Sequence, residues 1–178
     1  MPADSQVSNQ TEVDFAGRRD ISVKIQKSFF SGGKETMSMH TVAVMGLGVR
    51  GKIHLHGLLE NPDYYKVVGL CDIDEPKMKA VAEEYHLDDV PLFTDAEEML
   101  KETRPEIFVF VTYPDLRLSV IQLAVKYGVK GISFEKPMAE SLQEAKKIVK
   151  LCHDNGIKAV VCHQQKYLSQ MQTLKKRI

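Results

Sequence analysis

Six short apolar runs alternate with helical segments from His40 onward, and this alternation limits the fold more than any other feature. Each run is continuously apolar rather than alternately apolar and polar: HTVAVM, YKVVGLC, VPLF, EIFVFV, VKGISF and IKAVVC. Continuous runs are typical of strands buried on both faces of a parallel sheet. Because helical segments separate the strands, we predict an α/β domain with a doubly wound, mostly parallel sheet.

The segments between the runs carry helix signals. They are KIHLHGLLEN, EPKMKAVAEEYH, DAEEMLKET, PDLRLSVIQLAVKY, SLQEAKKIVKLCHDNG and, at the end, YLSQMQTLKKRI. Asp95 with Glu98 and Ser141 with Glu144 have the spacing of capping boxes, which predicts where two of these helices begin.

Residues 1–38 differ from the rest of the chain. They are polar and lack helical or strand periodicity, apart from a possible short strand in ISVKIQKSFF. We therefore expect a disordered leader or upstream extension. The stretch SGGKETMSM reads as a translated ribosome-binding site, which predicts a native start at Met37 or Met39.

The composition excludes several classes of function. Acidic and basic residues balance at 24 each, so no net charge draws the chain to nucleic acid or to a membrane. No apolar run approaches the roughly 20 residues that span a bilayer, and the N-terminus lacks the apolar core of a secretory signal. Three sparse cysteines, Cys71, Cys152 and Cys162, predict reduced thiols and a cytoplasmic location.

A glycine motif follows the first run directly. In GLGVRG, Gly46, Gly48 and Gly51 have the G-x-G-x-x-G spacing between a strand and a helix. Gly46 would permit the tight turn, Gly48 the approach of a pyrophosphate, and Gly51 the close packing of the helix on the strand. The alternative is a glycine-rich connection without a ligand. We predict a Rossmann-type dinucleotide site formed by Gly46, Leu47, Gly48, Val49, Arg50 and Gly51.

An acid ends the second run. Asp72 stands where such folds place the carboxylate that binds the adenosine ribose hydroxyls. A carboxylate repels a 2′-phosphate, so NAD is the expected cofactor. NADP remains the alternative, because Arg50 is close enough in the sequence to bind that phosphate. The alternative is that Asp72 caps the next helix, a role for which Asp74 competes.

With TYPDLR and FEKP, these residues resemble the glucose–fructose oxidoreductase, inositol dehydrogenase and rhizopine-catabolism family (Gfo/Idh/MocA) over residues 40–178. The segment GVRGKIH also looks like one branch of that family. The resemblance implies that Thr112 and Pro114 line the cofactor cleft. It also implies that Glu135 and Lys136 lie under the nicotinamide ribose with Lys136 facing the substrate, and that the peptide bond before Pro137 is often cis.

Two segments depart from the family pattern. Arg117 stands where the family usually has histidine, and CHQQKY matches the segment after the sixth strand only loosely. The resemblance implies that the family's C-terminal α+β domain is absent from these residues, so we expect 39–163 to be the dinucleotide-binding domain and 164–178 to begin the connection to that domain. The resemblance implies a homo-oligomer in full-length form.

The implied reaction is hydride transfer between nicotinamide and a secondary alcohol of a sugar or polyol. Lys136 would polarise the oxygen or relay the proton as the catalytic residue, with a further acid or base in the absent domain. The alternatives are an NAD-dependent glycosidase that oxidises its sugar transiently, and a non-catalytic nucleotide-binding module. Without the resemblance, Lys136 would be interpreted as a surface ion pair with Glu135. His54 and His56 point apart on a helix, so no metal site is expected.

Overall fold

The computed structural model describes residues 39–177. The predicted leader, the short strand in ISVKIQKSFF and the start at Met37 lie outside these residues. The described residues fall into two units, of which residues 39–164 hold the sheet and residues 165–177 form the other. Cys71, Cys152 and Cys162 are free thiols.

All six predicted strands form one parallel sheet. The strands are β1 (His40–Met45), β2 (Tyr65–Cys71), β3 (Leu92–Phe93), β4 (Ile107–Phe110), β5 (Gly131–Glu135) and β6 (Lys158–Cys162). Their order across the sheet is β3-β2-β1-β4-β5-β6, and each neighbouring pair is parallel. The carboxyl ends of all six strands therefore meet at the same edge, and the chain reverses its direction of travel between β1 and β4. The prediction of a doubly wound sheet is confirmed.

Helices occupy the predicted segments. They are α1 (Val49–Leu59), α2 (Glu75–Glu84), α3 (Ala96–Thr103), α4 (Arg117–Lys126), α5 (Leu142–Asp154) and α6 (Ser169–Lys175). Asp74, Asp95 and Ser141 each accept a backbone N–H at the start of α2, α3 and α5, so the two predicted caps are present. Within residues 39–177, no helix is both long and apolar enough to span a bilayer.

Among the boundaries that differ from the prediction, two bear on the site. Helix α1 begins at Val49 rather than Lys52, because the glycine loop runs straight into the helix with Gly48 as its N-cap. Strand β5 continues through Glu135, which pairs with Cys162 of β6. Glu135 is therefore the last residue of a core strand and not the first residue of a loop.

The strand register separates the two faces of the sheet. Val44, Val109, Ser133 and Val160 stand side by side on β1, β4, β5 and β6 and share one face. Helices α1 and α2 cover this face over β1 and β2, whereas α3, α4 and α5 cover the opposite face. The cover of the first face ends towards β6, because Val109 is 4% exposed while Val160 is 56% exposed.

Aromatic side chains fill the face beneath α4. Phe110 and Phe134 stack across β4 and β5 with ring centroids 5.1 Å apart and an interplanar angle of 10°. Phe108 lies next to Phe110 at 5.3 Å, and all three side chains are fully buried. Their contacts hold the ends of β4 and β5 together directly below the edge where the predicted site residues lie.

We expect Phe110→Ala to lower the free energy of unfolding by about 3–5 kcal/mol, because it removes a buried ring and leaves a cavity. Urea unfolding followed by circular dichroism measures the change. Val149→Ala on the exposed side of α5 is the control and should stay within about 0.5 kcal/mol of the unsubstituted chain. Equal losses in the two variants would contradict the assignment of Phe110 to the core.

Candidate functional site

The glycine loop after β1 contains two positions where only glycine fits. Gly46 has φ +84°, and a Cβ there would overlap the carbonyl oxygen of Val111. A Cβ on Gly51 would overlap the carbonyl oxygen of Gly46. The first turn of α1 is therefore in direct backbone contact with the end of β1, as the motif predicts.

Gly48 has a different environment. Its φ of −67° and ψ of −172° suit any residue, and a Cβ built on it meets nothing within 4 Å. Within residues 39–177, the amide N–H groups of Gly48, Val49, Arg50 and Gly51 have no hydrogen-bond partner, since the first helical bond runs from Lys52 N to Gly48 O. Open space faced by unpaired amides at a helix N-terminus fits the pyrophosphate of a dinucleotide.

The loop from Gly46 to Gly51 with its unpaired amides is called the glycine cradle below. Asp72 joins this cradle to the end of β2. Its carboxylate is 6% exposed, and Oδ2 accepts the amide N–H of Leu47 at 2.6 Å. Oδ1 accepts from the amide of Asp74 at 3.0 Å and from the ammonium of Lys77 at 2.8 Å. Burial favours the neutral form, but these hydrogen bonds outweigh it and lower the pKa of Asp72. Asp74 caps α2, so the interpretation of Asp72 as that cap is wrong.

Exposed apolar side chains surround the same edge. Val49 follows the glycine loop, Ile73 follows Asp72, and Tyr113 follows Thr112 after β4, and all three are among the most exposed large apolar residues. Pro114 opens a short 3₁₀ turn (Pro114–Leu116) that leads into α4. Apolar groups around a polar cradle are typical of sites that hold flat rings.

Glu135 and Lys136 have opposite environments at the end of β5. The Glu135 side chain is only 7% exposed, and its Oε1 lies 3.0 Å from His54 Nε2 on α1 and 3.0 Å from Gln164 Nε2 after β6. Lys136 is exposed, and its ammonium forms no ion pair with any residue in the described part of the chain. The interpretation of Lys136 and Glu135 as a surface ion pair is therefore wrong. The Lys136–Pro137 peptide bond is cis.

Arg117 ties the segments after β4 and β5 together from below. It is 2% exposed, and its Nη2 donates to the carbonyl oxygens of Thr112 at 3.3 Å and Lys136 at 3.4 Å. Its guanidinium lies 5.8 Å from the ring centroid of Phe134. In the described region, Arg117 Nε, Arg117 Nη1 and Thr112 Oγ1 are buried without partners. Burial lowers the pKa of Arg117, although the charges of Glu135 and Glu144 oppose that shift.

The sequence-predicted residues thus lie at one edge of the sheet, after β1, β2, β4 and β5. The sequence analysis missed three features of this edge: the contacts of His54 and of Gln164 with Glu135, and the contacts of Arg117 with two carbonyl oxygens. The sequence pattern suggests His54 only as half of a metal pair with His56. In the structure the ring of His54 contacts Glu135, and His56 faces Tyr85 at 6.2 Å between ring centroids. Among residues 39–177, no three potential metal ligands cluster. One signal for His54 was available, because it follows Gly51 by one helical turn and so shares its sheet-facing side.

Comparison with known proteins identifies relatives of the same architecture. The chain is 25% identical over 143 residues to Uncharacterized protein YMR315W of Saccharomyces cerevisiae, covering 80% of this chain and 41% of that protein. The WlbA dehydrogenase from Bordetella pertussis, solved with NADH and UDP-GlcNAcA, superposes with a TM-score of 0.71 at 22% identity, over 78% of this chain and 41% of that one. The myo-inositol 2-dehydrogenase from Lactobacillus plantarum gives a TM-score of 0.70 at 18% identity, over 78% and 40%. The chain therefore spans about two fifths of the length of these proteins.

A family-level match covers the sheet. The sequence model described as "Oxidoreductase family, NAD-binding Rossmann fold" matches residues 40–163, which is more than half of the chain. The match begins at the first residue of β1 and ends just after β6, so it includes the cradle, Asp72 and Lys136. The chain belongs to the Gfo/Idh/MocA family of oxidoreductases, and residues 40–163 correspond to its NAD-binding Rossmann fold.

Proposed function

We propose that the chain is the cofactor domain of an NAD-dependent dehydrogenase that acts on a secondary alcohol of a sugar or polyol. The observation that carries the proposal is the convergence of the glycine cradle, Asp72 and Lys136 at one edge of the sheet. Relatives solved with NADH and a nucleotide sugar, or named for myo-inositol, support the same class of substrate.

The cradle and Asp72 account for the nucleotide half of the site. The free amides of Gly48 to Gly51 would bind the pyrophosphate without any side chain between them. Asp72 is ionised and held in place by three donors, so its carboxylate would receive the ribose hydroxyls and repel a 2′-phosphate. Lys77 would have to give way or share Asp72 with the ribose.

The other half of the site carries the chemistry. Thr112 and Pro114 would line the cleft beside the rings, and Glu135 would lie under the nicotinamide ribose. When bound, NAD supplies the hydride acceptor. Lys136, exposed at the end of β5, would polarise the substrate oxygen or relay its proton.

A second domain would complete the site. The chain spans about two fifths of its relatives, and the face of β6 around Val160 lies open. Hydride transfer needs the alcohol held against the nicotinamide in a fixed orientation, which one sheet edge does not provide. We infer that a region like the part of the relatives that this chain does not span would supply the remaining substrate contacts, a second acid or base and the oligomer interface.

Isothermal titration calorimetry of this chain with NAD and NADP tests the proposal. We expect NAD to bind more tightly than NADP. If neither nucleotide binds at millimolar concentration, the proposed function is wrong. If NAD binds, a longer gene product is assayed for NADH formation with inositols and sugars. Turnover of a sugar without net NADH formation would point to the glycosidase instead.

A substitution in the glycine cradle should weaken NAD binding with little effect on the free energy of unfolding. Gly48→Ala should leave the fold intact, with a loss of no more than about 1 kcal/mol in the free energy of unfolding, because its Cβ meets open space. It should weaken NAD binding at least about tenfold, because the methyl group occupies the pyrophosphate position. Gly57→Ala, also in open space but in the last turn of α1, is the matched control and should bind NAD normally. Normal binding by the Gly48 variant would remove the cradle from the site.

Asp72 should determine the preference for NAD over NADP. Asp72→Asn should weaken NAD binding and raise the ratio of NADP to NAD affinity about tenfold or more, because the amide no longer repels the 2′-phosphate. Asp74→Asn is the matched control, since asparagine caps a helix as well as aspartate does and the ratio should not change. Calorimetry with both nucleotides measures it, and an unchanged ratio in the Asp72 variant would contradict the assignment.

Substitution of Lys136 should lower turnover without lowering the affinity for NAD. In the longer gene product, Lys136→Met should lower kcat about 10²–10⁴-fold. Its affinity for NAD should stay within about twofold, since the ammonium faces the substrate rather than the pyrophosphate. Lys130→Met, on the turn before β5, is the control. Full turnover in the Lys136 variant would exclude it as the catalytic residue.

A further inference from the structure

Glu135 is a buried side chain at the carboxyl edge of the sheet, and its two hydrogen-bond partners come from distant parts of the chain. It ends β5, while His54 belongs to α1 and Gln164 follows β6. Both neighbours approach the same oxygen, Oε1, at 3.0 Å. A carboxylate that is 7% exposed requires such donors, because burial without them is strongly unfavourable.

The chemistry of the three groups fixes the direction of the hydrogen bonds. An ionised carboxylate can only accept, so His54 Nε2 carries a proton and donates to Oε1. The amide nitrogen of Gln164 donates to the same atom. Within residues 39–177, Oε2 accepts no hydrogen bond. The carboxylate is thus held by one oxygen and offers the other to a ligand that can donate.

The fold explains why His54 meets Glu135. Glu135 follows Ser133 by two residues, so both side chains point to the face of the sheet that α1 covers. His54 lies one helical turn after Gly51, whose backbone touches the cradle. One hydrogen bond therefore connects the helix that would bind the pyrophosphate to the strand end that carries Lys136.

We propose that His54 and Gln164 are positioning residues for the proposed dehydrogenase: by fixing Oε1 of Glu135, they aim Oε2 at a hydroxyl of the nicotinamide ribose and thereby set the ring over Lys136. The inference rests on the proposed function. It adds that the nicotinamide end of the cofactor is located by a hydrogen-bond chain that starts on α1.

Variants of His54 separate positioning from folding. His54→Gln keeps an N–H donor near the position of Nε2, whereas His54→Asn is equally polar but too short to reach Glu135. Gln164→Leu removes the second donor at an exposed position. His56→Gln and His56→Asn are matched controls on the same helix, because His56 faces Tyr85 and not the cleft.

Two measurements on the purified chain report on the cofactor. The first is the Kd for NADH from the fluorescence of the nicotinamide. We expect His54→Asn and Gln164→Leu to raise the Kd about tenfold, and His54→Gln to stay within about twofold of the unsubstituted chain. The second is the rate at which an amine-acylating ester modifies Lys136, compared with Lys147 on the exposed side of α5, with and without saturating NADH.

Saturating NADH should protect Lys136 in the unsubstituted chain and in the His54→Gln and His56 variants, and should not protect it in His54→Asn or Gln164→Leu. Loss of protection at saturation reports a misplaced ring and not a weaker complex. Protection in all variants, or equal effects of the His54 and His56 substitutions, would overturn the inference while leaving the proposed function intact. If the unsubstituted chain does not bind NADH, the proposed function fails and the inference fails with it.

Discussion

The contact between Gly51 and the carbonyl of Gly46 is the constraint on which the rest of the site depends. No side chain fits between them, so the first turn of α1 lies directly against the end of β1. That approach leaves the amides of the first turn facing open space instead of protein. It also sets the height of His54 along the sheet, which is why an imidazole on α1 reaches the end of β5.

Two buried carboxylates hold this edge together, and they do so in similar ways. Asp72 binds the cradle to β2 through Leu47, and Glu135 binds β5 to α1 and to the segment after β6 through His54 and Gln164. Each acid accepts at least two hydrogen bonds, as a carboxylate removed from water must. The strand ends are therefore joined by side chains as well as by the ladder below them. Such cross-connections fix a binding edge in advance of any ligand.

The sequence predicted the scaffold more fully than the contacts. The runs HTVAVM and YKVVGLC have the same bounds as β1 and β2, because a central strand buried on both faces is apolar along its whole length. VPLF shortens to Leu92–Phe93 because β3 is an edge strand that needs few ladder bonds. The glycines and Asp72 were predicted to form a site because they follow strands at a characteristic spacing. The contact between His54 and Glu135 was not predicted, because 81 residues separate them in the sequence. Periodicity gives the direction of a side chain but not the residue that it meets.

The buried contacts of Arg117 restrict which residues can stand at its position. Its guanidinium spans from the carbonyl of Thr112 to that of Lys136 and rests on the ring of Phe134. A histidine at this position would be too short to make both contacts and would leave unfilled volume beside that ring. A change of Arg117 to histidine would therefore need compensating changes in the side chains around it.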